Sequence, residues 1–226
     1  MSTFVLLHGA GVGAWVWDKV MAEMSATSLA LDVPGRRPGV TPEECASDLV
    51  AELDRRGVEG VVLVAHSLAG VLVPAMAQRL KMRLHRCIYV SGVVPPNGRA
   101  FVDAFPLVNR LVLRSLFRFN PDGLRPSPKM IRKELCNDLD AEMTAEVVSK
   151  YAAEFPGLYL TPVGELPMLH TTYIRLLNDQ SVTPALQNRM IARLGSPRVR
   201  ELNAGHLAML SMPFELAAML SYDGAA

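Results

Sequence analysis

The chain has 226 residues, of which half are hydrophobic, and a formal net charge of +1. This length suits a single domain with a large buried core. The balanced charge excludes a general electrostatic affinity for nucleic acid, which needs a strongly basic surface. Three widely spaced cysteines, Cys45, Cys87 and Cys136, match neither a metal-binding nor a paired disulfide pattern, so we expect reduced thiols in a cytoplasmic protein.

Strand-like and helix-like segments alternate along most of the chain. Continuous apolar runs, typical of strands buried on both faces of a parallel sheet, occupy residues 3–8, 28–33, 61–66 and 87–92. Two further strands are predicted at 172–178 and 198–203. Predicted helices occupy 14–25, 42–56, 68–81, 184–194 and 213–222. This alternation predicts an α/β fold with a mostly parallel, doubly wound sheet.

The alternation stops between residues 95 and 167, where proline-rich, helix-like pieces occur without a clear strand. We name this stretch the cap segment and predict that it is a helical cap inserted after the fourth strand. The core then comprises 1–94 and 168–226, within a single domain. The apolar stretch at 61–77 is shorter than a membrane span and carries polar residues near its start, so we expect a buried strand followed by a buried helix.

The loop after the first strand fits two different motifs. Gly9, Gly11 and Ala14 have the G-x-G-x-x-A spacing of a dinucleotide-binding turn, and Asp32 follows the next apolar run, where such a fold binds a ribose. The same stretch, read from His8, spells His-Gly-x-Gly, a loop that supplies an oxyanion-hole amide in α/β-hydrolases. The loop by itself leaves both functions open.

Ser67 lies where a predicted buried strand changes directly into a helix. In a nucleophile elbow, a serine at such a turn projects above the sheet, and small residues are required two positions before and after it. Ala65 and Ala69 meet this requirement in place of the more usual glycines. Ser67 is therefore a predicted nucleophile, and the backbone N–H of Leu68 is a predicted oxyanion donor at a helix start. The alternative is a serine that only caps the helix.

His206 and Asp179 are the predicted partners of this serine. His206 follows the last predicted strand and precedes the last helix, which is where such a site carries its general base. Asp179 ends the penultimate strand and would orient the imidazole, with a simple turn residue as its alternative role. Asp103, early in the cap segment, is the main rival for the acid.

Four stretches, HGAGVGAWVWDKV, VLVAHSLAG, YIRLLNDQSVTPALQNRMI and GHLAMLSMPFEL, together resemble one group of enzymes. They are similar to the plant-type methylesterase and hydroxynitrile lyase group of α/β-hydrolases, from the N-terminus to the last helix. The resemblance implies an α/β-hydrolase fold with Ser67 as nucleophile, His206 as base and Asp179 as acid. It also implies an oxyanion hole formed by the amides of Ala10 and Leu68, and chemistry without a metal or organic cofactor.

Two departures separate the chain from the lyase branch of that group. Gly9 stands where the lyases have threonine, and Leu207 stands where they have lysine directly after the catalytic histidine. Both changes remove groups that bind and protonate a cyanohydrin, which favours the esterase branch. We therefore expect hydrolysis of a small, largely apolar carboxylic ester through an acyl-enzyme. The alternatives are a non-hydrolytic lyase or cyclase of natural-product metabolism, and a non-catalytic ligand-binding protein.

The predicted substrate pocket is apolar and lies under the cap segment. Its predicted residues are Trp15, Phe101, Phe105, Met168, His170 and Leu207. The basic run at 110–133 places Arg110, Arg114 and Arg118 on one helix face, where we expect a solvated surface. An entrance for anionic substrates or a docking patch for an acidic carrier protein is the alternative. As partners we expect a small-molecule ester and neither nucleic acid nor a membrane, and a homodimer is left open.

Overall fold

Six parallel strands form one sheet in the structure, a computed structural model that describes residues 2–166 and 169–224. The order across the sheet is β2-β1-β3-β4-β5-β6, and every neighbouring pair runs parallel. The strands are β1 (Thr3–Leu7), β2 (Ser28–Leu31), β3 (Val61–His66), β4 (Leu84–Val90), β5 (Thr171–Leu176) and β6 (Arg198–Leu202). Each overlaps a strand predicted from the sequence, so the parallel α/β sheet is confirmed.

Helices flank the sheet on both faces. They are α1 (Asp18–Glu23), α2 (Pro42–Arg55), α3 (Val73–Leu80), α4 (Leu107–Phe119), α5 (Pro128–Glu134), α6 (Ala141–Lys150), α7 (Gly157–Leu160), α8 (Pro184–Arg193), α9 (Ala208–Ser211) and α10 (Pro213–Gly224). The predicted helices at 14–25 and 68–81 both begin as 3-10 turns, Ala14–Trp17 and Ser67–Leu72. The tight turn after β3 is the element that presents Ser67.

The alternation of side chains along β1 explains the two-sided core. Val5 and Leu7 point to one face and pack with α2, α3 and α8. Phe4 and Leu6 point to the other face and pack with α1, α9 and α10. Successive side chains of a strand alternate between faces, so an unbroken apolar run fits a strand covered on both sides. β6, at the sheet edge, is mostly exposed and correspondingly mixed in sequence.

The start of α2 follows directly from its sequence. The hydroxyl of Thr41 accepts a hydrogen bond from the Glu44 backbone N–H at 3.2 Å, and the Glu44 carboxylate accepts one from the Thr41 N–H at 2.8 Å. Pro42 occupies the first helical position, where the missing N–H costs nothing. This reciprocal capping box confirms the predicted start of the helix.

Helices α4 to α7 lie in the cap segment, between β4 and β5 along the chain. Within the described part of that segment, β-pairing is limited to isolated bridges, such as Leu124 with Glu154. The side chains of Phe101, Phe117 and Tyr159 pack together, with ring centroids 4.5–4.8 Å apart. This aromatic cluster joins the core on the α2 and α3 face. The boundaries of the cap at 95 and 167 stay a prediction.

The long apolar stretch at 61–77 is divided between β3, the 3-10 turn and the first half of α3. All of its residues are buried, as the sequence predicts. In the described residues, no helix combines the length and the hydropathy needed to span a bilayer. The three cysteines are buried and their thiols are free.

Gly70 tests how closely the turn after β3 must approach the neighbouring loop. A Cβ atom at this position would lie 2.2 Å from the backbone carbonyl oxygen of Val93, which cannot move aside as a flexible side chain can. We expect Gly70→Ala to lower the free energy of unfolding by about 2–3 kcal/mol, measured by urea denaturation.

Gly164→Ala is the matched control for this substitution. A Cβ atom at position 164 would lie 3.8 Å from the Pro74 Cβ, an ordinary contact. We expect its stability to stay within about 0.5 kcal/mol of the wild type. Equal stabilities of the two variants would contradict the close approach at Gly70.

Candidate active site

Ser67 lies at the carboxyl end of the central strand β3, on a sharp turn. Its φ of 52° is in the left-handed region that non-glycine residues rarely adopt. The small residues Ala65 and Ala69 are buried on either side, and the Val93 N–H donates to the Ser67 carbonyl oxygen at 2.9 Å. Such an unfavourable conformation persists only where surrounding contacts over-determine it, and it is typical of functional turns.

A chain of hydrogen bonds connects three side chains from different loops. The Nε2 atom of His206 lies 3.0 Å from the Ser67 Oγ, and the Nδ1 atom lies 2.7 Å from the Asp179 Oδ2. All three side chains are buried. Because an ionised carboxylate can only accept, the Nδ1 atom carries the proton in this arrangement and the Nε2 atom accepts from the serine hydroxyl. The structure thus brings together the serine, histidine and acid predicted from the sequence.

The sheet explains why these three residues meet. Asp179 follows β5, and His206 follows β6, while Ser67 follows β3. The carboxyl ends of parallel strands share one edge of the sheet, and this edge is where open α/β folds place their sites. Residues far apart in sequence therefore converge without any local sequence motif that joins them.

Asp179 is buried but held as a carboxylate. Its Oδ1 accepts from the backbone N–H groups of Ser181 and Val182, both at 2.8 Å, and its Oδ2 accepts from the Ser91 hydroxyl at 2.6 Å. Burial by itself raises the pKa of Asp179, but the electrostatic interaction with His206 and the hydrogen bonds from His206, Ser91 and Val182 outweigh it and lower that pKa. The acid is therefore ionised at neutral pH.

Asp103, the rival acid, lies within the cap segment and has other partners. Its carboxylate accepts from the Ala100 N–H at 3.2 Å and from Arg110 and Arg114 at 3.3 and 3.1 Å. The carboxylate that accepts a hydrogen bond from the His206 Nδ1–H is that of Asp179. Arg110 and Arg114 thus pair with the cap's own acid while their side chains stay 30% and 43% exposed, which agrees with the solvated helix face predicted from the sequence. Docking of an acidic carrier protein stays an untested alternative.

Two further buried histidines support the site, and sequence reasoning gave neither of them a role. The Nε2–H of His66 donates to the backbone carbonyl oxygen of His206 at 2.9 Å. His8 donates from Nδ1 to the Gly9 carbonyl oxygen at 2.8 Å and accepts at Nε2 from the Val33 N–H at 2.9 Å. Burial lowers the pKa of His66 and lowers that of His8 to about 4, so both rings are neutral supports.

Ser91 is another residue that the sequence analysis missed. It directly follows β4 and has a φ of 44°, so its hydroxyl reaches the Asp179 carboxylate from the neighbouring strand end. The sequence did contain an indication of this role, because Ser91 lies at the end of a predicted strand, at the same sheet edge as Ser67.

The glycine loop after β1 packs directly against the serine turn. A Cβ atom at Gly9 would lie 2.8 Å from the Ser67 Cβ. The Gly11 N–H donates to the buried Glu154 carboxylate at 2.7 Å, and Tyr151 ring carbons lie 2.0 Å from where a Gly11 Cβ would be. A carboxylate on this amide and a ring against this glycine leave no place for a pyrophosphate, which contradicts the dinucleotide-binding interpretation.

Ala10 lies between these two glycines, in the loop that packs against the Ser67 turn. In residues 2–166 and 169–224, its backbone N–H donates to no acceptor within the protein. An amide without an acceptor in the loop that packs against the serine turn can donate to an oxygen of a bound molecule. Leu68, which directly follows Ser67 at the start of the 3-10 turn, is the second residue predicted to supply such an amide.

The aromatic residues predicted for the pocket contribute mainly to packing. The Phe101 and Phe105 rings pack at a tilted angle with centroids 5.0 Å apart, and Phe101 also contacts Tyr159 within the aromatic cluster of the cap segment. Trp15 is half-buried in the 3-10 turn before α1, and the Lys150 ammonium lies 4.5 Å from the centre of its ring.

The remaining predicted pocket residues have different positions. Leu207 directly follows His206 and is buried in the core on the α1 face. His170 precedes Thr171 at the amino end of β5, and its side chain is exposed. It lies a strand length, about 20 Å, from the edge that carries Asp179, so its prediction as a pocket residue is wrong. Met168 lies outside the described residues.

The arrangement can activate a hydroxyl group. A serine oxygen hydrogen-bonded to a neutral imidazole, which a carboxylate in turn orients, is the geometry of a base-activated nucleophile. Over the described ranges, 2–166 and 169–224, His, Cys, Asp and Glu side chains form no group of three or more able to hold a metal ion.

Known sequences match this chain along almost its whole length. A model of the Alpha/beta hydrolase family matches residues 4–219. Methylesterase 17 of Arabidopsis thaliana is 24% identical, with 96% of this chain and 89% of that protein covered. The carbendazim hydrolyzing esterase of Nocardioides sp. is 26% identical, with 99% and 100% covered. Norfluorocurarine synthase 2 of Strychnos sp is 24% identical, with 96% and 93% covered.

Solved structures share the fold. An extracellular alpha/beta-hydrolase from a Paenibacillus species superposes with a TM-score of 0.92 at 18% identity, covering 100% of both chains. Methylesterase MES16 from Arabidopsis superposes with a TM-score of 0.79 at 19% identity, covering 100% of this chain and 99% of that one. Tomato methylketone synthase I reaches a TM-score of 0.76 at 19% identity, covering 99% and 97%.

Removing the Ser91 hydroxyl tests its support of Asp179. Glycine accepts the positive φ at this position, so Ser91→Gly removes the hydrogen bond without adding backbone strain. We expect kcat/KM for an activated ester to fall about tenfold, which corresponds to about 1.4 kcal/mol. Lys81→Gly, at another positive φ far from the site, is the control and should keep wild-type activity. Wild-type kinetics in Ser91→Gly would contradict the support.

His8 links stability to pH. Its pKa is about 4 in the folded chain, below the ordinary value of 6.5. Between these two pH values the unfolded chain therefore binds a proton at His8 that the folded chain does not bind. Its contribution to the free energy of unfolding is full above about pH 6.5 and falls by about 3 kcal/mol as the pH approaches 4.

Urea denaturation at pH 7 and pH 4.5 measures this contribution. We expect His8→Gln to show a smaller loss of stability between the two pH values than the wild type. Part of the stability loss remains in that variant, because the pKa of His66 is lowered too and its protonation also favours the unfolded chain. His85→Gln, at an exposed histidine, should keep the wild-type difference. An equal loss in His8→Gln and the wild type would refute the linkage.

Proposed function

Because the chain belongs to the alpha/beta hydrolase family, we propose that it is a serine hydrolase that cleaves a small, largely apolar carboxylic ester through an acyl-enzyme. The observation that carries the proposal is the buried hydrogen-bonded chain from the Ser67 Oγ through His206 to Asp179. Resemblance to a methylesterase and a carbendazim hydrolyzing esterase supports the same reaction class.

In the first half of the reaction, the His206 Nε2 takes the proton of the Ser67 hydroxyl as its oxygen attacks the ester carbonyl. The carbonyl oxygen becomes an oxyanion, to which the amides of Ala10 and Leu68 donate. Asp179 stabilises the imidazolium that forms. The imidazolium then gives its proton to the leaving alkoxide, the alcohol departs, and the acyl group stays on Ser67.

The second half repeats these roles with water. The neutral His206 takes a proton from a water molecule as the water oxygen attacks the acyl carbon. The oxyanion of the tetrahedral adduct accepts hydrogen bonds from the same two amides. The adduct collapses when the imidazolium returns a proton to the Ser67 oxygen. The carboxylic acid is released and the starting protonation state is restored.

The packing at Gly9 favours hydrolysis over cyanohydrin cleavage. A side chain there would meet the Ser67 Cβ at 2.8 Å and the His66 ring at 2.9 Å, so the turn has no room for the threonine of the lyase branch. Leu207, after the histidine, is apolar and buried, and it cannot supply the proton that the lysine of that branch supplies.

A non-hydrolytic reaction is the second candidate. Norfluorocurarine synthase 2 of Strychnos sp matches 96% of this chain. In such a reaction His206 would act as a general base on the substrate, and Ser67 would not form a covalent bond. Formation of an acyl or phosphonyl bond on Ser67 separates the two candidates.

Ser67→Ala is the direct test of the nucleophile. We expect turnover of p-nitrophenyl acetate and butyrate to fall by at least about 10³-fold, with an unchanged thermal midpoint of unfolding. A fluorophosphonate should label wild-type Ser67, located by mass spectrometry of the digest, and should not label the variant.

Ser149→Ala, at an exposed serine of α6, is the matched control and should keep wild-type turnover and labelling. Full activity in Ser67→Ala would refute the acyl-enzyme. A wild-type protein that neither turns over esters nor reacts with the fluorophosphonate would favour the non-hydrolytic or ligand-binding alternatives.

A further inference from the structure

Glu154 is a buried carboxylate that the proposed reaction does not use. Its side chain reaches from the cap segment to the glycine loop after β1 and is only 7% exposed. The Oε1 atom accepts hydrogen bonds from the Gly11 N–H at 2.7 Å and from the Arg36 Nε at 3.0 Å. A buried carboxylate needs partners of this kind, because an unpaired charge inside a protein is strongly unfavourable.

The same short piece of the cap segment holds the glycine loop at further points. The Ala152 N–H donates to the Gly11 carbonyl oxygen at 2.8 Å, so both polar backbone groups of Gly11 are bound by residues 152 and 154. Arg36 also donates to the carbonyl oxygen of Val12. Glu154 is itself fixed, because its backbone pairs in both directions with Leu124.

The held glycine adjoins Ala10, whose amide is a proposed oxyanion donor. Gly11 has a φ of 74°, and glycine moves between positive and negative φ at little cost. The Gly11 N–H belongs to the peptide plane between residues 10 and 11, so a partner on that N–H fixes the orientation of the plane. A loop that turned there would also reorient the Ala10 amide, which follows the glycine packed against Ser67.

We propose that Glu154 is a positioning residue for the oxyanion hole, whose carboxylate holds the Gly11 N–H and thereby aims the Ala10 N–H at the oxygen of the tetrahedral adduct. This inference rests on the proposed function. Arg36 orients the carboxylate and balances its charge. The cap segment thus contributes to transition-state stabilisation through its contact with the glycine loop.

Two substitutions of Glu154 separate the loss of its charge from the loss of its hydrogen-bond acceptor. Glu154→Gln keeps the shape and one carbonyl acceptor for the Gly11 N–H, but gives a weaker, neutral hydrogen bond. Glu154→Ala removes the acceptor. We expect kcat for p-nitrophenyl butyrate to fall about 10- to 100-fold in Glu154→Ala and less in Glu154→Gln, with KM within about twofold of the wild type. Glu165→Gln, at an exposed residue, is the control and should leave both constants unchanged.

A boronic acid that forms a tetrahedral adduct with Ser67 reports on the oxyanion hole itself. The boronate affinity should fall in parallel with kcat/KM from the wild type to Glu154→Gln and Glu154→Ala. Boronate binding and catalysis both depend on the Ala10 N–H as donor. Circular dichroism and the thermal midpoint establish that each variant is folded, and Glu154→Gln keeps the test available if Glu154→Ala does not fold.

Wild-type kcat and wild-type boronate affinity in folded Glu154→Gln and Glu154→Ala would overturn the inference, even if their thermal midpoints fall. A rise in KM without a change in kcat would also overturn it, since Glu154 would then act on substrate binding alone. Failure of the proposed function looks different: the wild-type protein itself would neither hydrolyse the ester nor react at Ser67.

Discussion

The imidazole of His206 can accept a proton on one nitrogen only if its other nitrogen keeps its own. The Asp179 carboxylate, 2.7 Å from Nδ1, sets this tautomer. The carboxylate must therefore be ionised although it is buried, and the donors around it, including Ser91 and the Val182 amide, make that state favourable. Much of the loop structure at this edge of the sheet serves that one requirement.

The same requirement explains the backbone strain at two serines. Ser67 and Ser91 both have positive φ, and both follow neighbouring central strands, β3 and β4. One of them presents a hydroxyl to His206 and the other presents a hydroxyl to Asp179. The strands behind them are buried on both faces, and this rigid core holds the two turns in conformations that an isolated peptide would leave.

The sequence predicted those parts of the molecule that depend on local patterns and chain order. Apolar runs located the first four strands, and the elbow together with chain order located Ser67, His206 and Asp179. Contacts between distant elements could not be predicted in this way. Glu154 meets Gly11 across 143 positions, and only the docking of the cap on the core brings them together. His170 was misplaced because it precedes a strand, and residues that precede parallel strands lie at the amino edge of the sheet, opposite the edge that carries Asp179.

Four buried polar side chains around the site all hydrogen-bond to backbone groups. His8 and His66 are neutral rings that each use one N–H on a backbone carbonyl, whereas Asp179 and Glu154 are carboxylates that each accept from backbone amides. Each of these bonds fixes a stretch of backbone beside a reacting group: the glycine loop, the histidine loop or the acid loop. Burial makes every such bond costly to break. A site built in this way is already organised before substrate arrives, which is the condition under which fixed dipoles stabilise a transition state most effectively.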